Sequence, residues 1–558
     1  MAQGGLSVGY WPERRREMFL EREQTSRIGV VFYVSLAISV VFVLWGVFFT
    51  ENLSAVTSVI LGYVLENFAW LYLISTTLFL VFVAYLAFSR YGKIRLGKDD
   101  ERPEFSRPSW FAMLFAAGMG IGLVFWGVAE PISHVETPPY AMAPAGSPEA
   151  AELGMRYAFF HWGLHPWAVY GVVAMAIAYF SFRQGRGGVI SSVFYPLIGE
   201  RVNGPIGKAI DIFAILATLF GVAVSLGLGA LQINGGLNFL FNIPSEAYVQ
   251  IVIIAVITVL FLASAATGVD KGIRILSNLN MLLAASLLSF VFILGPTVFL
   301  MDTFTQMVGD YAGALVSMSF ERNVFEDSSW ADNWTIFYWA TWIAWAPFVG
   351  AFIARISRGR TIREFVLAVL FVPSIVSFFW FSTMGGTGIE LDRTGDGVIS
   401  SAVAENVNTA LFVMLEQLPI SFITSIIAMF LIAIFFITSA DSASFVLGSM
   451  SSGGTLNPAT PVKFVWGITI SSFAAVLLLS GGLTALQNVA IIAAVPFAII
   501  MLFMCAALLK ALPKDPGAKR GSPSPRDVDD DIRVREKAAP KAATTSEPDA
   551  AKAGRGEG

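Results

Sequence analysis

The chain has 558 residues, 56% of them hydrophobic and only 14% charged, with a mean hydropathy of +0.68. A soluble globular chain must still coat itself with polar groups, so this composition excludes an ordinary soluble protein and predicts an all-α polytopic membrane protein. The net charge of −4 decides little, because charge in such a chain gathers in loops and tails, and no nucleic-acid partner is expected.

The N-terminal segment, 1–27, carries Arg14, Arg15, Arg16, Arg22 and Arg27 and lacks a cleavable signal pattern. A span needs about 20 apolar residues. That rule predicts about twelve helices, near 28–50, 66–89, 109–131, 156–180, 205–235, 247–267, 274–298, 334–356, 363–384, 419–447, 462–481 and 485–511. Basic residues alternate with this count. They crowd the connection after the second span (Arg90, Lys93, Arg95, Lys98, Arg102, Arg107) and recur after the fourth, sixth, eighth and tenth, while Arg322 and Arg393 are exceptions on the other side. The alternation predicts a plasma-membrane protein with both termini in the cytoplasm.

The third span contains Gly118, Met119, Gly120, Ile121 and Gly122. Glycine at every second position disfavours a continuous helix and is tolerated where backbone unwinds beside a cavity or where helices pack closely. The same span holds Glu130, which reads as a structural residue at the outer end of its helix. The fourth span carries Trp162, Trp167 and Tyr170 in HWGLHPWAVY, with His161 and His165 expected to serve packing or an interfacial hydrogen bond. A 35-residue connection, 299–333, has helical apolar spacing that fits an interfacial helix or an ordinary outer segment.

The eighth span carries Trp339, Trp342 and Trp345 in YWATWIAWAP, a three-residue spacing that predicts three indole rings roughly along one helix face. Such a face suits a quaternary ammonium cation, which has charge but no hydrogen-bond donor. Ala346-Pro347 followed by Gly350 predicts an interruption here that matches the one in the third span. Paired interruptions in corresponding spans point to an inverted-repeat transporter with five helices per unit. The tenth span ends in FFITSADSAS, whose hydroxyls either bond back to the preceding turn or serve a sodium ion. Asp441 in that segment reads as a helix cap or a neutraliser of a basic neighbour. The tail, 512–558, is rich in Pro, Ala, Lys, Asp and Ser and reads as disordered.

Catalytic signatures are missing. The lone Cys505 cannot form an internal disulfide or a Cys-rich metal site, and His134, His161 and His165 have no zinc spacing. There is no P-loop, nucleophile elbow or dinucleotide fingerprint, so no enzyme is expected.

Five long stretches resemble the betaine/carnitine/choline transporter family: AAGMGIGLVFWGVAEP, HWGLHPWAVY, ATLFGVAVSLGLGALQI, FYWATWIAWAPFVGAFIARISRGRTIREF and FFITSADSAS. The resemblance covers roughly 28–511. It implies a leucine-transporter-like fold: two peripheral helices and a linker (28–108), a first five-helix repeat (109–300), an outer loop (301–333) and a second repeat (334–511), assembled as a homotrimer in lipid. It also implies an aromatic box of Trp162, Trp167, Tyr170 and Trp342, with Trp345 in the central site. Met119 and the backbone of Gly118, Gly120 and Gly122 would face the substrate. One sodium ion would bind carbonyls of Ala116, Met119 and Phe435 with the hydroxyls of Thr438 and Ser439; a second would draw on Thr218 and the Phe348 ring, with Ser225 close by.

Three departures bear on the substrate. Gly122 stands where proton-coupled choline carriers of the family tend to have aspartate, which favours a sodium-coupled zwitterion carrier. Val222 replaces the hydroxyl expected one turn after Thr218, and Thr341 stands where betaine carriers commonly have another tryptophan. The reading is therefore a sodium symporter that imports a quaternary-ammonium compatible solute, glycine betaine first, by alternating access. The alternatives are a sodium-coupled ectoine, hydroxyectoine or choline carrier, and a sodium-independent exchanger of trimethylammonium compounds.

Overall fold

The computed structural model describes residues 28–519 apart from Met119, Gly268, Val269, Asp327 and Leu456, with no side chain described for 115–118, 266, 267, 270–274 and 519. The predicted N-terminal segment, and the predicted tail from residue 520, lie outside the described residues. Helices dominate, and the backbone shows no strand among the described residues beyond one isolated bridge, Arg95 with Thr361.

In chain order the main helices are α1 (Val30–Phe48), α2 (Thr50–Phe88), α3 (Arg107–Gly118), α4 (Ile121–Glu136), α5 (Pro148–Trp162), α6 (Leu164–Ala178) and α7 (Pro205–Phe241). They continue with α8 (Ala247–Thr267), α9 (Asp270–Leu294), α10 (Thr297–Phe320), α11 (Phe337–Ile356), α12 (Ile362–Thr394), α13 (Ser421–Ser451) and α14 (Thr460–Ala511). Among the described residues, ten helical stretches are long and apolar enough to cross a membrane. The expected twelve are recovered from two irregularities. The third span is divided into α3 and α4, each too short alone. At 1.5 Å per residue, the 52 residues of α14 would run about 78 Å, far beyond one bilayer core. Non-helical dihedrals at Gly481 (φ 159°) and Gly482 (φ 58°) divide it into two passes; the second lies in the left-handed region that glycine tolerates.

Burial sorts the helices. In Pro148–Arg183, 94% of the most apolar window is buried, whereas in α1, α8 and the apolar part of α9 the figure is 22%. The peripheral helices expose large apolar side chains such as Val41, Phe48, Val259 and Leu282. In water those faces would be a liability; against lipid they are the stable arrangement, because the backbone is already satisfied within each helix. The central helices pack through α14 on α7, α11 on α6 and α13 on α7.

The expected interruption of the eighth span is not found. Helix α11 runs unbroken through Pro347, and the irregular turn is a π-helical one just before it, Asp332–Ile336. Gly350 has a different purpose: a Cβ there would lie 2.7 Å from Val173 Cγ1 and 3.2 Å from the Ala174 amide, so the glycine lets α11 and α6 touch. The disorder expected from residue 512 does not hold for residues 512–519. Residues 512–519 form a short turn and a helical end held by Asp515, which accepts from Arg183 Nε at 2.5 Å, Arg183 Nη2 at 2.6 Å and Tyr179 Oη at 2.9 Å.

Candidate functional site: an aromatic cavity between the central helices

A cavity of about 920 Å³ lies between α4, α6, α7, α11 and α13. At one end its wall is aromatic: Trp126, Trp162, Trp167, Tyr170, Tyr338, Trp342 and Trp345 all line it. At the other end it reaches Ser181, Arg355, Asn457 and Lys463, of which Arg355 and Asn457 are exposed. These last residues belong to the basic connections after the fourth, eighth and tenth spans.

The rings are fixed by one another and by their polar edges. Trp162 meets Trp342 edge-on with centroids 4.9 Å apart, Tyr170 meets Trp342 at 6.2 Å, and Trp167 meets Tyr170 at 5.6 Å. Tyr338 stacks on Trp342 at 5.9 Å with an interplanar angle of 19°. Three of the lining tryptophans turn their N–H to an acceptor behind the ring. Trp342 Nε1 donates to the His161 carbonyl at 3.0 Å, Trp345 Nε1 to the Gly221 carbonyl at 2.8 Å, and Trp162 Nε1 to Glu130 Oε2 at 2.8 Å. Buried indoles need such partners, and meeting them behind the rings leaves the π faces free.

The predicted box is therefore assembled, with Trp345 beside it against Phe348 at 5.5 Å. A Cβ on Gly221 would lie 2.9 Å from Trp345 Cδ1, so that glycine makes room for the ring. Trp339 is the exception to the predicted face. It is fully buried, stacks on His165 at 5.1 Å and does not line the cavity. Steps of three residues turn a helix by about −60° each, so a run at that spacing drifts around the helix. The four-residue spacing Tyr338, Trp342 holds the direction better; Tyr338 and Trp126 are lining aromatics that the sequence reading missed.

At the break in the third span Gly120 is extended (φ −147°, ψ 180°) and starts α4. Gly120, Ile121 and Gly122 line the cavity, so the first-turn amides of α4 lie at its wall. Gly122 has little room to vary, since a Cβ would stand 3.2 Å from Trp162 Cη2. Met119 lies outside the described residues, and of Ala116 and Gly118 only the backbone is described.

The two predicted ion sets differ. Phe435, Thr438 and Ser439 line the cavity; Thr438 Oγ1 donates to the carbonyls of Ile434 at 2.9 Å and Phe435 at 3.2 Å. Their donor atoms are all oxygen, which suits a hard cation. Thr218 lies behind the lining, fully buried, and donates to the Ala214 carbonyl at 2.8 Å, while Phe348 and Ser225 line the cavity. The structure thus brings Phe348 and Ser225 to the cavity but not Thr218.

Comparison with known proteins agrees with this arrangement. Residues 30–517 match the family model described as BCCT, betaine/carnitine/choline family transporter. The chain is 53% identical over 494 residues to the glycine betaine transporter OpuD of Bacillus subtilis (strain 168), a match spanning 88% of this chain and 95% of that one. It is 48% identical to a probable glycine betaine transporter of Desulfitobacterium hafniense (strain Y51), across 87% of this chain and 97% of that one. It is 44% identical to an ectoine/hydroxyectoine transporter of Virgibacillus pantothenticus, across 87% and 96% respectively. The protein is a multi-pass membrane transporter rather than an enzyme, and it belongs to the betaine/carnitine/choline transporter family.

Proposed function

We propose that this transporter imports a quaternary-ammonium compatible solute, glycine betaine first, by sodium symport with alternating access. The observation that carries the reading is the set of Trp162, Tyr170, Tyr338 and Trp342 around one cavity. A trimethylammonium group cannot donate a hydrogen bond, so water holds it weakly and aromatic faces compete well, each contributing about 0.5–2 kcal/mol. The carboxylate of the same zwitterion has a complementary partner in the first-turn amides of α4, where the helix dipole adds a partial positive charge.

Sodium would be cargo at the oxygen set of Phe435, Thr438 and Ser439 beside the break in the third span. The cavity opens toward the basic connections, and the positive-inside rule assigns those to the cytoplasm. The conformation is then inward-facing, with both termini cytoplasmic, and the chain works as two five-helix repeats, 109–300 and 334–511, in a homotrimer embedded in lipid. Sodium and solute together would favour closure through their differential affinity for the two states.

Ectoine is the second substrate to consider. Thr341 lines the cavity where a larger ring would fill it, and its hydroxyl is already bonded to the Phe337 carbonyl at 2.8 Å. Uptake of radiolabelled glycine betaine into proteoliposomes, with and without an inward sodium gradient, tests the proposal. Concentrative uptake that requires sodium supports it. Gradient-independent exchange would refute symport, and silence with betaine alongside sodium-driven ectoine uptake would reassign the substrate.

A further inference from the structure

Behind the cage, Glu130 is fully buried on α4 and receives donors from three elements. Trp162 Nε1 and Tyr338 Oη donate to its Oε2 at 2.8 and 2.5 Å. His161 Nδ1 lies 2.7 Å from Oε1, and His134 Nε2 lies 3.4 Å from the same oxygen. His161 Nε2 is in turn 3.0 Å from Thr335 Oγ1. Two of these donors, Trp162 and Tyr338, are cage rings, and both pack on a third ring, Trp342, whose own N–H is held by the backbone carbonyl of His161. The orientation of each of these three rings therefore traces back to one carboxyl group or to the residue beside it.

A buried carboxylate is an expensive way to fix aromatic rings. An amide would accept hydrogen bonds without the cost of burying charge, and an apolar core would pack as well. The ligand atoms of Glu130, His134 and His161 lie within 4.8 Å of one another, a spacing that could hold a metal ion. Here, however, both carboxylate oxygens already face donors from Trp162, Tyr338 and His161, and these neighbours leave the carboxylate committed to the rings. What charge adds is electrostatic. An anion accepting the indole N–H and the phenol O–H pushes electron density into both rings, which makes their faces more negative toward a cation.

We propose that Glu130 is a positioning residue that both orients the cage and tunes it toward positively charged head groups, acting through the N–H of Trp162 and the O–H of Tyr338. The inference rests on the cavity being the quaternary-ammonium site. It predicts a loss selective for charge: the carboxylate should matter for a trimethylammonium ligand and not for an uncharged tert-butyl group of the same shape.

The test uses the full chain in proteoliposomes. Wild type, Glu130→Gln, Glu130→Asp, Trp162→Phe and the Glu130→Gln/Trp162→Phe double variant are compared for glycine betaine affinity and maximal uptake, with 3,3-dimethylbutyrate, the carbon isostere of betaine, as a competing probe. Glu130→Gln should raise the KM for betaine about tenfold, with maximal uptake changed less than about twofold, the size expected of one or two weakened cation–π contacts. Inhibition by the isostere should be unchanged, and Glu130→Asp should recover most of the lost affinity. The loss in the double variant should be smaller than the product of the single losses, because both variants remove the same contact. Equal weakening of betaine and isostere, multiplicative losses in the double variant, or an unaltered KM would each overturn the proposal. If wild type neither binds nor transports a quaternary ammonium compound, the substrate reading fails instead, and the variants separate the two failures. Should Glu130→Gln not insert, Tyr338→Phe removes one donor with the ring retained and gives the same comparison against the isostere.

Discussion

The two ends of the cavity are built from different bonds. At the aromatic end, buried donors meet a carboxylate: Trp162 and Tyr338 on Glu130 at 2.8 and 2.5 Å, with His161 at 2.7 Å. At the other end two polar contacts between helices are stretched. Ser264 lies 3.5 Å from Asp441, and Lys463 Nζ reaches the Ala265 carbonyl at 3.4 Å, both near the limit of a hydrogen bond. Short, charge-assisted bonds in a dry environment are the costly ones to break, whereas long bonds near water are replaced by solvent at little cost. The Glu130 network behind the rings is buried, while Arg355 and Asn457 at the other end are exposed.

The contrast can be broken most severely at the cage. Trp342→Ala removes the ring that both Trp162 and Tyr338 pack on, and high-affinity betaine uptake should fall by about a hundredfold or more, measured as kcat/KM in proteoliposomes. Normal uptake by an inserted variant would remove Trp342 from the site. Gly122→Asp is next. Its Cβ would press on Trp162 and its carboxylate would enter the cage, so betaine affinity should drop about tenfold while competition by choline strengthens. Thr438→Ala should act on the ion alone, raising the sodium concentration for half-maximal uptake a few-fold, roughly 3- to 10-fold, with betaine affinity at saturating sodium little changed.

The smallest effect is expected far from the cage, at Asp515. Burial would push this carboxyl up, but the hydrogen bonds from Arg183, the Gly517 amide and Tyr179, together with the Arg183 charge, hold it below the usual carboxylate range. A group with a lowered folded-state pKa stabilises the fold above its unfolded value and loses that contribution as pH falls through the folded one. Asp515→Asn should therefore leave uptake within about twofold at neutral pH and lower the melting temperature by about 1–3 °C, a deficit that shrinks as the solution is acidified.

Much of this was legible in the sequence, for identifiable reasons. Apolar runs of sufficient length announce spans, and the basic residues in alternate connections keep the count honest. Trp162, Trp167, Tyr170 and Trp342 were recognisable because their motifs are long and because rings inside membrane segments need a purpose. Glycine at 118, 120 and 122 located the break correctly. The failures were geometric. Pro347 looked like a breaker, but a helix loses only one backbone bond there, and α11, packed against α6, continues through it. Trp339 shared the spacing of its neighbours and not their direction. Glu130 looked like a helix-end residue because nothing in one sequence reveals that Trp162, 32 positions later, and Tyr338, 208 positions later, donate to it. Thr218 carries a hydroxyl at the expected place, buried behind the cavity lining and donating to the Ala214 carbonyl.

The most direct measurement is equilibrium binding of glycine betaine to the purified full chain, read by tryptophan fluorescence in sodium and in potassium buffers, for wild type and for Trp342→Ala. The account predicts a saturable signal in wild type that strengthens with sodium and vanishes in the variant. A signal of equal affinity in both proteins would contradict the claim that these rings form the binding site.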